Sequence, residues 1–307
     1  LYLIQGVATV TPRKTRRNTT LIAAPHPTPE KNSVARIIPP TGHTFPNIPT
    51  AAGEPLSISA TSLIALWSRT CPHCQKELQS WTTQAAKFKT SNINLELLCT
   101  DQEHYDQANA YLKSINSPFA TRMAGPKALE LLDALHASII DLWIPIPVPA
   151  SFLVSKEGQL LAIYRGIASI EQIINDTKFA TASPLERRSA GSPFAGRWTS
   201  NPVASSPQRT AQQLLQHAQP NLAINYLRSA LTKPFLQGEK FTRSDNFLLL
   251  GQILGQQGRP AEAIPPLEAA NEILPKDIRV LRLLATAHAE TGNFSKSFAI
   301  LNDAISY

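Results

Sequence analysis

Residues 66–78 read LWSRTCPHCQKEL and hold two of the chain's three cysteines, three positions apart. Cys71 and Cys74 at that spacing can clamp a metal, close a static disulfide, or open and close as a redox pair. A zinc site needs about four ligands, usually with a second cysteine pair or two nearby histidines. Here His73 lies between the cysteines, Cys99 sits within an apolar run, and no second cluster exists. A static staple across so short a loop stabilises little, because the loop-entropy term grows with loop length. A redox pair needs a helix start, where unsatisfied N–H groups and the positive end of the macrodipole favour a thiolate. Pro72 suits the first helical position, so Cys71 falls at the start and Cys74 one turn further in, more buried. Attack by Cys71 on a disulfide, then by Cys74 on the mixed disulfide, is chemistry this spacing permits. His73 adds a positive or hydrogen-bonding partner that favours the thiolate.

The surrounding elements must deliver this pair. The apolar run 62–68 predicts a buried strand ending at the cysteines, and Leu78, Trp81, Ala85 and Phe88 recur beyond it at helical spacing. A second buried strand is expected over 93–99, which makes Cys99 a buried, inert thiol. Amphipathic helices are expected over 102–115 and 126–142. Two strands, 151–155 and 159–164, flank a turn of Lys156, Glu157 and Gly158, and 169–177 closes the unit as a short helix. Strand–helix–strand alternation followed by a hairpin predicts a mixed sheet with helices on both faces.

Hydrophobic residues make up 43% and charged residues 17% of the 307 positions, which favours packed cores over wholesale disorder. The net charge of +7 is concentrated: six of the seven charged residues in 1–53 are basic, as are four of the five in 179–209. No aromatic or helical framework accompanies those charges, so they read as solvated linker rather than a nucleic-acid surface. Nine of the 25 prolines fall within the first 55 positions. Residues 1–53 are therefore expected to be an extended, irregular connector trailing a domain upstream, with LYLIQG as that domain's last strand. Residues 179–209, rich in Ser, Pro, Ala and Arg, read as a second linker that Phe194 and Trp198 pin to a neighbouring domain. The first apolar run, LYLIQGVATV, is too short to span a bilayer and lacks the features of a secretory signal.

An internal repeat fills residues 210–307. From Ser244, the residues Leu250, Gly251, Gly258, Ala263, Leu267 and Ala270 recur 34 positions later as Leu284, Ala285, Gly292, Ser297, Leu301 and Ala304. Ala211, Leu214, Ala223, Leu227 and Ala230 mark an earlier unit, with about six extra residues before Ser244. These slots resemble the tetratricopeptide pattern, in which small residues let two antiparallel helices approach. His288 fills a packing slot there and reads as structural.

Residues 54–178 resemble the thioredoxin superfamily, in the extracytoplasmic branch that includes the membrane-anchored thioredoxin-like proteins of cytochrome c maturation. The likeness rests on the strand ending at Trp67, on Cys71, Pro72, His73 and Cys74, on Glu77, and on VPASFLVSKEGQLLAIYRG. It implies a thioredoxin-like α/β domain followed by an all-α tetratricopeptide solenoid. It also implies a thiol–disulfide oxidoreductase with no cofactor beyond its own disulfide, located in the periplasm or cell envelope. Its partners would be protein thiol or disulfide clients and a peptide or protein on the repeats, with no nucleic acid. Pro149 matches the family's cis-proline, which sits against the disulfide and holds incoming backbone. Glu77 matches the acidic residue that tunes the cysteines, or is an exposed helix carboxylate. Two departures bear on chemistry: Ala65 stands where cytoplasmic thioredoxins carry a buried Asp, and Thr70 replaces the usual aromatic before the first cysteine. The dipeptide Pro72-His73 is that of the periplasmic disulfide-forming oxidase, so the redox direction stays open. The rival reading is a non-catalytic adaptor using the thioredoxin-like fold as a platform. A peroxiredoxin would carry Pro-x-x-x-Thr-x-x-Cys, and no such run precedes Cys71.

Overall fold

The computed structural model describes residues 35–51, 55–140, 144–191, 206–232 and 240–305. Six consecutive buried residues, SLIALW, form strand β3 (Ser62–Trp67), as a continuous apolar run must when both faces of a sheet are covered. Its neighbours are β4 (Asn94–Cys99), which runs parallel to it, and β6 (Ala150–Val154), which runs antiparallel. β5 (Thr121–Met123) extends the parallel side beyond β4, and β7 (Gln159–Arg165) forms the hairpin with β6. The hairpin turns at Gly158, whose φ of 76° lies where L side chains are strained.

The prolines of 1–53 concealed two more strands. β1 (Ala35–Ile37) and β2 (His43–Thr44) both pair antiparallel with β7, completing among the described residues a seven-stranded sheet whose path runs β1-β7-β6-β3-β4-β5, with β2 beside β7 off that path. The stretch 35–51 is therefore part of the folded unit rather than connector. Ile38, Phe45 and Ile48 are all buried. Prolines 39, 40 and 46 flank the short strands without interrupting them, and edge or irregular positions are where proline is tolerated in a sheet. The suggested strand at LYLIQG and the docking contacts of Phe194 and Trp198 lie outside the described residues.

One face of the sheet is covered by α1 (Pro72–Thr83), α2 (Ala85–Thr90), α3 (Tyr105–Ser114) and α5 (Ile170–Asp176), whose apolar residues pack on Leu63, Ala65, Trp67, Leu97 and Tyr164. The other is covered by α4 (Pro126–Ile140) over Ile64, Leu66, Leu98 and Phe152. This is a thioredoxin-like arrangement, a mixed sheet between helical layers.

Part of the second expected linker is also folded. Residues 184–191 form α6 (Pro184–Gly191), anchored by Arg187, which is 3% exposed and donates to the Phe179 carbonyl and to Gln159 Oε1 at 2.9 Å. A Cβ on Gly191 would lie 3.0 Å from the Ile38 carbonyl, so glycine allows α6 to close on the start of the sheet.

Among the described residues, the helices beyond 206 come as three hairpins: α7 (Gln208–Gln216) with α8 (Pro220–Leu231), α9 (Lys240–Gln256) with α10 (Pro260–Ile273), and α11 (Ile278–Glu290) with α12 (Phe294–Ile305). The turns within them hold Ala218, Gly258 and Gly292 at φ of 55°, 67° and 81°. Gly251 faces Leu267, where an added Cβ would lie 2.5 Å from Cγ. Gly251→Ala gains about 1 kcal/mol of helix propensity but overpacks a buried contact, which costs about 1–3 kcal/mol. The net expectation is a lower Tm, and a raised Tm would contradict this account of the α9–α10 contact. His288 is buried among these helices with neither ring nitrogen hydrogen-bonded, and burial lowers its pKa, so it is a neutral packing residue.

The helical array is not hung on a tether. α7 packs on α4, with the Ser138 and Thr210 hydroxyls 2.9 Å apart, and the Tyr226 hydroxyl donates to the Thr44 carbonyl at 3.2 Å. One apolar cluster runs from Phe45 and Leu131 through Ala211 and Leu227 to Leu284.

Candidate active site

β3 and β4 run parallel in a register that sets Trp67 beside Cys99, so both strands stop at the same end of the sheet. The Trp67 indole N–H donates to Thr121 Oγ1 at 2.9 Å, tying the end of β3 to β5. Four residues later Cys71 caps α1 in extended geometry (φ −87°, ψ 112°), with Pro72 opening the helix. The Cys74 backbone N–H donates to Cys71 Sγ at 3.3 Å. A helix N-terminus leaves its first N–H groups without intrahelical partners, and one of them here is aimed at the sulfur. The expected placement of the two cysteines is present: Cys71 is partly exposed, Cys74 fully buried, and both are free thiols.

The Val148–Pro149 peptide is cis. The Cys71 thiol lies 3.6 Å from the Val148 carbonyl oxygen, to which it donates. The loop before β6 therefore meets the Cys71 thiol through Val148, while Pro149 is itself buried and accepts from Gly166 N–H at 3.0 Å. The same loop is pinned by Asp133 of α4, whose Oδ1 accepts from Ile146 N–H at 2.8 Å.

Glu77 lies one turn after Cys74 on the same helix face. It is 1% exposed, so of the two readings left open by the sequence the exposed carboxylate is excluded. Burial pushes its pKa up to about 8, and a hydrogen bond from Ala168 N–H to Oε1 at 2.8 Å pulls it partly back. Burial also raises the Cys74 thiol well above the usual range, reinforced by its hydrogen bond with Cys71 and by the negative charge of Glu77. His73 is exposed on the first turn of α1 and forms no side-chain hydrogen bond to either sulfur.

Cys99 is fully buried at the end of β4, and burial raises its pKa to about 11. It should resist alkylation in the folded protein at pH 8 while Cys71 is modified, as read by peptide mapping. Labelling of Cys99 at a rate comparable to Cys71 would contradict its placement. Among the described residues no cluster of three His, Cys, Asp or Glu is arranged to hold a metal ion. Sequence reading missed Asp101, which lies two residues beyond β4 and bonds the loop before Cys71; its position directly after an apolar run was the available hint.

A second surface lies on the helical array, where α7, α9 and α11 line a groove of about 750 Å³. Gln208, Gln212 and Gln252 face it alongside Asp245, Arg279 and Arg282.

No protein-family model and no curated protein matches the chain. Among solved structures, a thioredoxin family thiol:disulfide interchange protein from Chlorobium tepidum TLS is 16% identical, covering 48% of this chain and 97% of its own, with a TM-score of 0.35. StoA from Bacillus subtilis is 18% identical, with 45% and 97% covered and a TM-score of 0.32. Peroxidoxin BcpB from Mycobacterium tuberculosis is 14% identical, with 48% and 99% covered and a TM-score of 0.34. The fold described above rests on its own topology.

Proposed function

We propose that this chain is a thiol–disulfide oxidoreductase whose redox pair is Cys71 and Cys74. The observation that supports it most is the capping geometry: Cys71 Sγ receives the Cys74 N–H and sits beside the Val148 carbonyl at a partly exposed helix start. In the reducing direction the Cys71 thiolate attacks one sulfur of a client disulfide, and the other client sulfur leaves as a thiolate. Cys74 then loses its proton to Glu77 in its ionised form and attacks Cys71 Sγ, releasing the first client sulfur. The client gains two electrons, and the protein ends with a disulfide between Cys71 and Cys74. Disulfide donation runs the same steps backwards. Glu77 takes the place of the absent Asp at position 65 as the buried proton acceptor.

The helical hairpins act in this reading as tetratricopeptide repeats, and the groove of α7, α9 and α11 receives a peptide or protein partner. Extracytoplasmic residence fits the resemblance of residues 54–178; among the described residues no helix is long and apolar enough to cross a membrane. A pure adaptor would need neither the buried proton acceptor nor the capped nucleophile.

Cys74→Ser tests the order of attack. Mixed with a peptide disulfide, this variant should stall as a covalent adduct on Cys71, visible by intact mass, while the wild type turns over. An adduct on any other residue, or none with either protein, would favour the adaptor.

A further inference from the structure

Because β3 and β4 end together, with Thr100 N–H bonded to the Trp67 carbonyl at 2.9 Å, the residue after Thr100 emerges against the loop that carries Cys71. That residue is Asp101, and both of its oxygens are used. Oδ1 accepts from the Ser68 hydroxyl at 2.6 Å, and Oδ2 accepts from the Arg69 backbone N–H at 2.6 Å. A serine hydroxyl has one proton and two acceptor sites. With its proton committed to Asp101, Ser68 Oγ is left to accept from Thr70 N–H at 3.1 Å and from the Thr70 hydroxyl at 2.9 Å. The Ser68 carbonyl in turn receives the Cys71 N–H at 3.2 Å. From the opposite side, Gln75 of α1 donates its amide to the Arg69 carbonyl at 2.6 Å. Every residue between Trp67 and Cys71 is thus tied down, and the tie from the sheet side runs through one carboxylate.

We propose that Asp101 is a positioning residue for Cys71, holding the 68–70 loop so that Sγ stays under the Cys74 N–H. It acts through Ser68 and Arg69 rather than by touching sulfur. The inference deepens the redox reading and uses its nucleophile, but its test does not require turnover.

The test is the pH profile of Cys71 alkylation by iodoacetamide, with peptide mapping, in the full chain. Asp101→Ala should slow alkylation at pH 7 roughly five- to tenfold, the order expected when one capping interaction is lost. Asp101→Asn keeps one acceptor oxygen and should recover part of the rate, and Ser68→Ala should fall between Asp101→Ala and wild type. If the carboxylate acted through its charge alone, removing it would speed alkylation in the Ala and Asn variants alike, and the proposal would be overturned. A lowered Tm with unchanged alkylation would also overturn it, since the role would then be purely structural. Should Asp101→Ala fail to fold by circular dichroism, Asp101→Asn and Ser68→Ala carry the same comparison. Slower alkylation in the variants with no disulfide exchange by the wild type would sustain the positioning role and remove the oxidoreductase. Exchange by the wild type with alkylation indifferent to Asp101 would do the reverse.

Discussion

Cys71→Ser should abolish disulfide exchange, by roughly a thousandfold or more, as happens when the nucleophile of a group acting as a unit is removed. The serine hydroxyl would still receive the Cys74 N–H at the cap, so α1 keeps its start and the fold should survive. The chemistry cannot. Only Cys71 combines exposure to a client with a helix N–H at its sulfur; Cys74 and Cys99 are fully buried. Exchange with a peptide disulfide, followed by fluorescence release, reads the effect. Retained exchange in Cys71→Ser would move the nucleophile to another thiol and undo the assigned order.

Glu77→Gln should raise stability at pH 8 and slow exchange at the same time. The carboxyl's pKa is pushed from 4.5 to about 8 by burial, so between those values the folded state holds a proton that the unfolded chain has released. Stability follows the difference in bound protons. The contribution is fully present below about pH 4.5 and is lost as pH rises toward 8, amounting to a few kcal/mol at about 1.4 kcal/mol for each pKa unit. Glutamine keeps the oxygen that accepts from Ala168 N–H but never ionises, so the fall in stability that Glu77 contributes between about pH 4.5 and 8 should be missing from the variant. Asp176, whose pKa is also raised by burial, leaves a slope of the same sign in both proteins, and the buried imidazoles of His43, lowered to about 4, and His136 leave one of the opposite sign. Without a proton acceptor for Cys74, exchange should fall roughly a hundredfold, within the usual worth of general base catalysis. Denaturant titrations at pH 5 and pH 8 check the first effect. An equal pH slope in wild type and Glu77→Gln would show that another group carries it.

The residues around the pair declared much of this in advance. SLIALW and the β6–β7 hairpin are long, apolar and bounded by turn residues, so local pattern and tertiary burial agree. Cys71 and Pro72 name a helix start by chemistry alone. The elements that stayed hidden are those whose order comes from distant partners. β1 and β2, three and two residues long among prolines, have no propensity of their own and exist because β7 offers an edge. Arg187 reads as linker charge until the Phe179 carbonyl and Gln159 are found around it. The burial of Glu77 depends on Ala168, 91 residues away, and no spacing within α1 distinguishes it from a solvated carboxylate. The union of the sheet and the helical hairpins into one apolar cluster was invisible for the same reason: the 210–307 repeat describes contacts within the array and none with α4.

The most direct measurement is a redox titration of the whole chain in glutathione buffers, quenched with an alkylating reagent and read by mass on the peptide spanning Cys71 and Cys74. The account predicts a single two-electron transition, tenfold in the equilibrium for each 29.6 mV or so of poise, confined to those two cysteines, with Cys99 remaining a thiol throughout. A pair that stays reduced at every accessible poise, or a transition that includes Cys99, would contradict it.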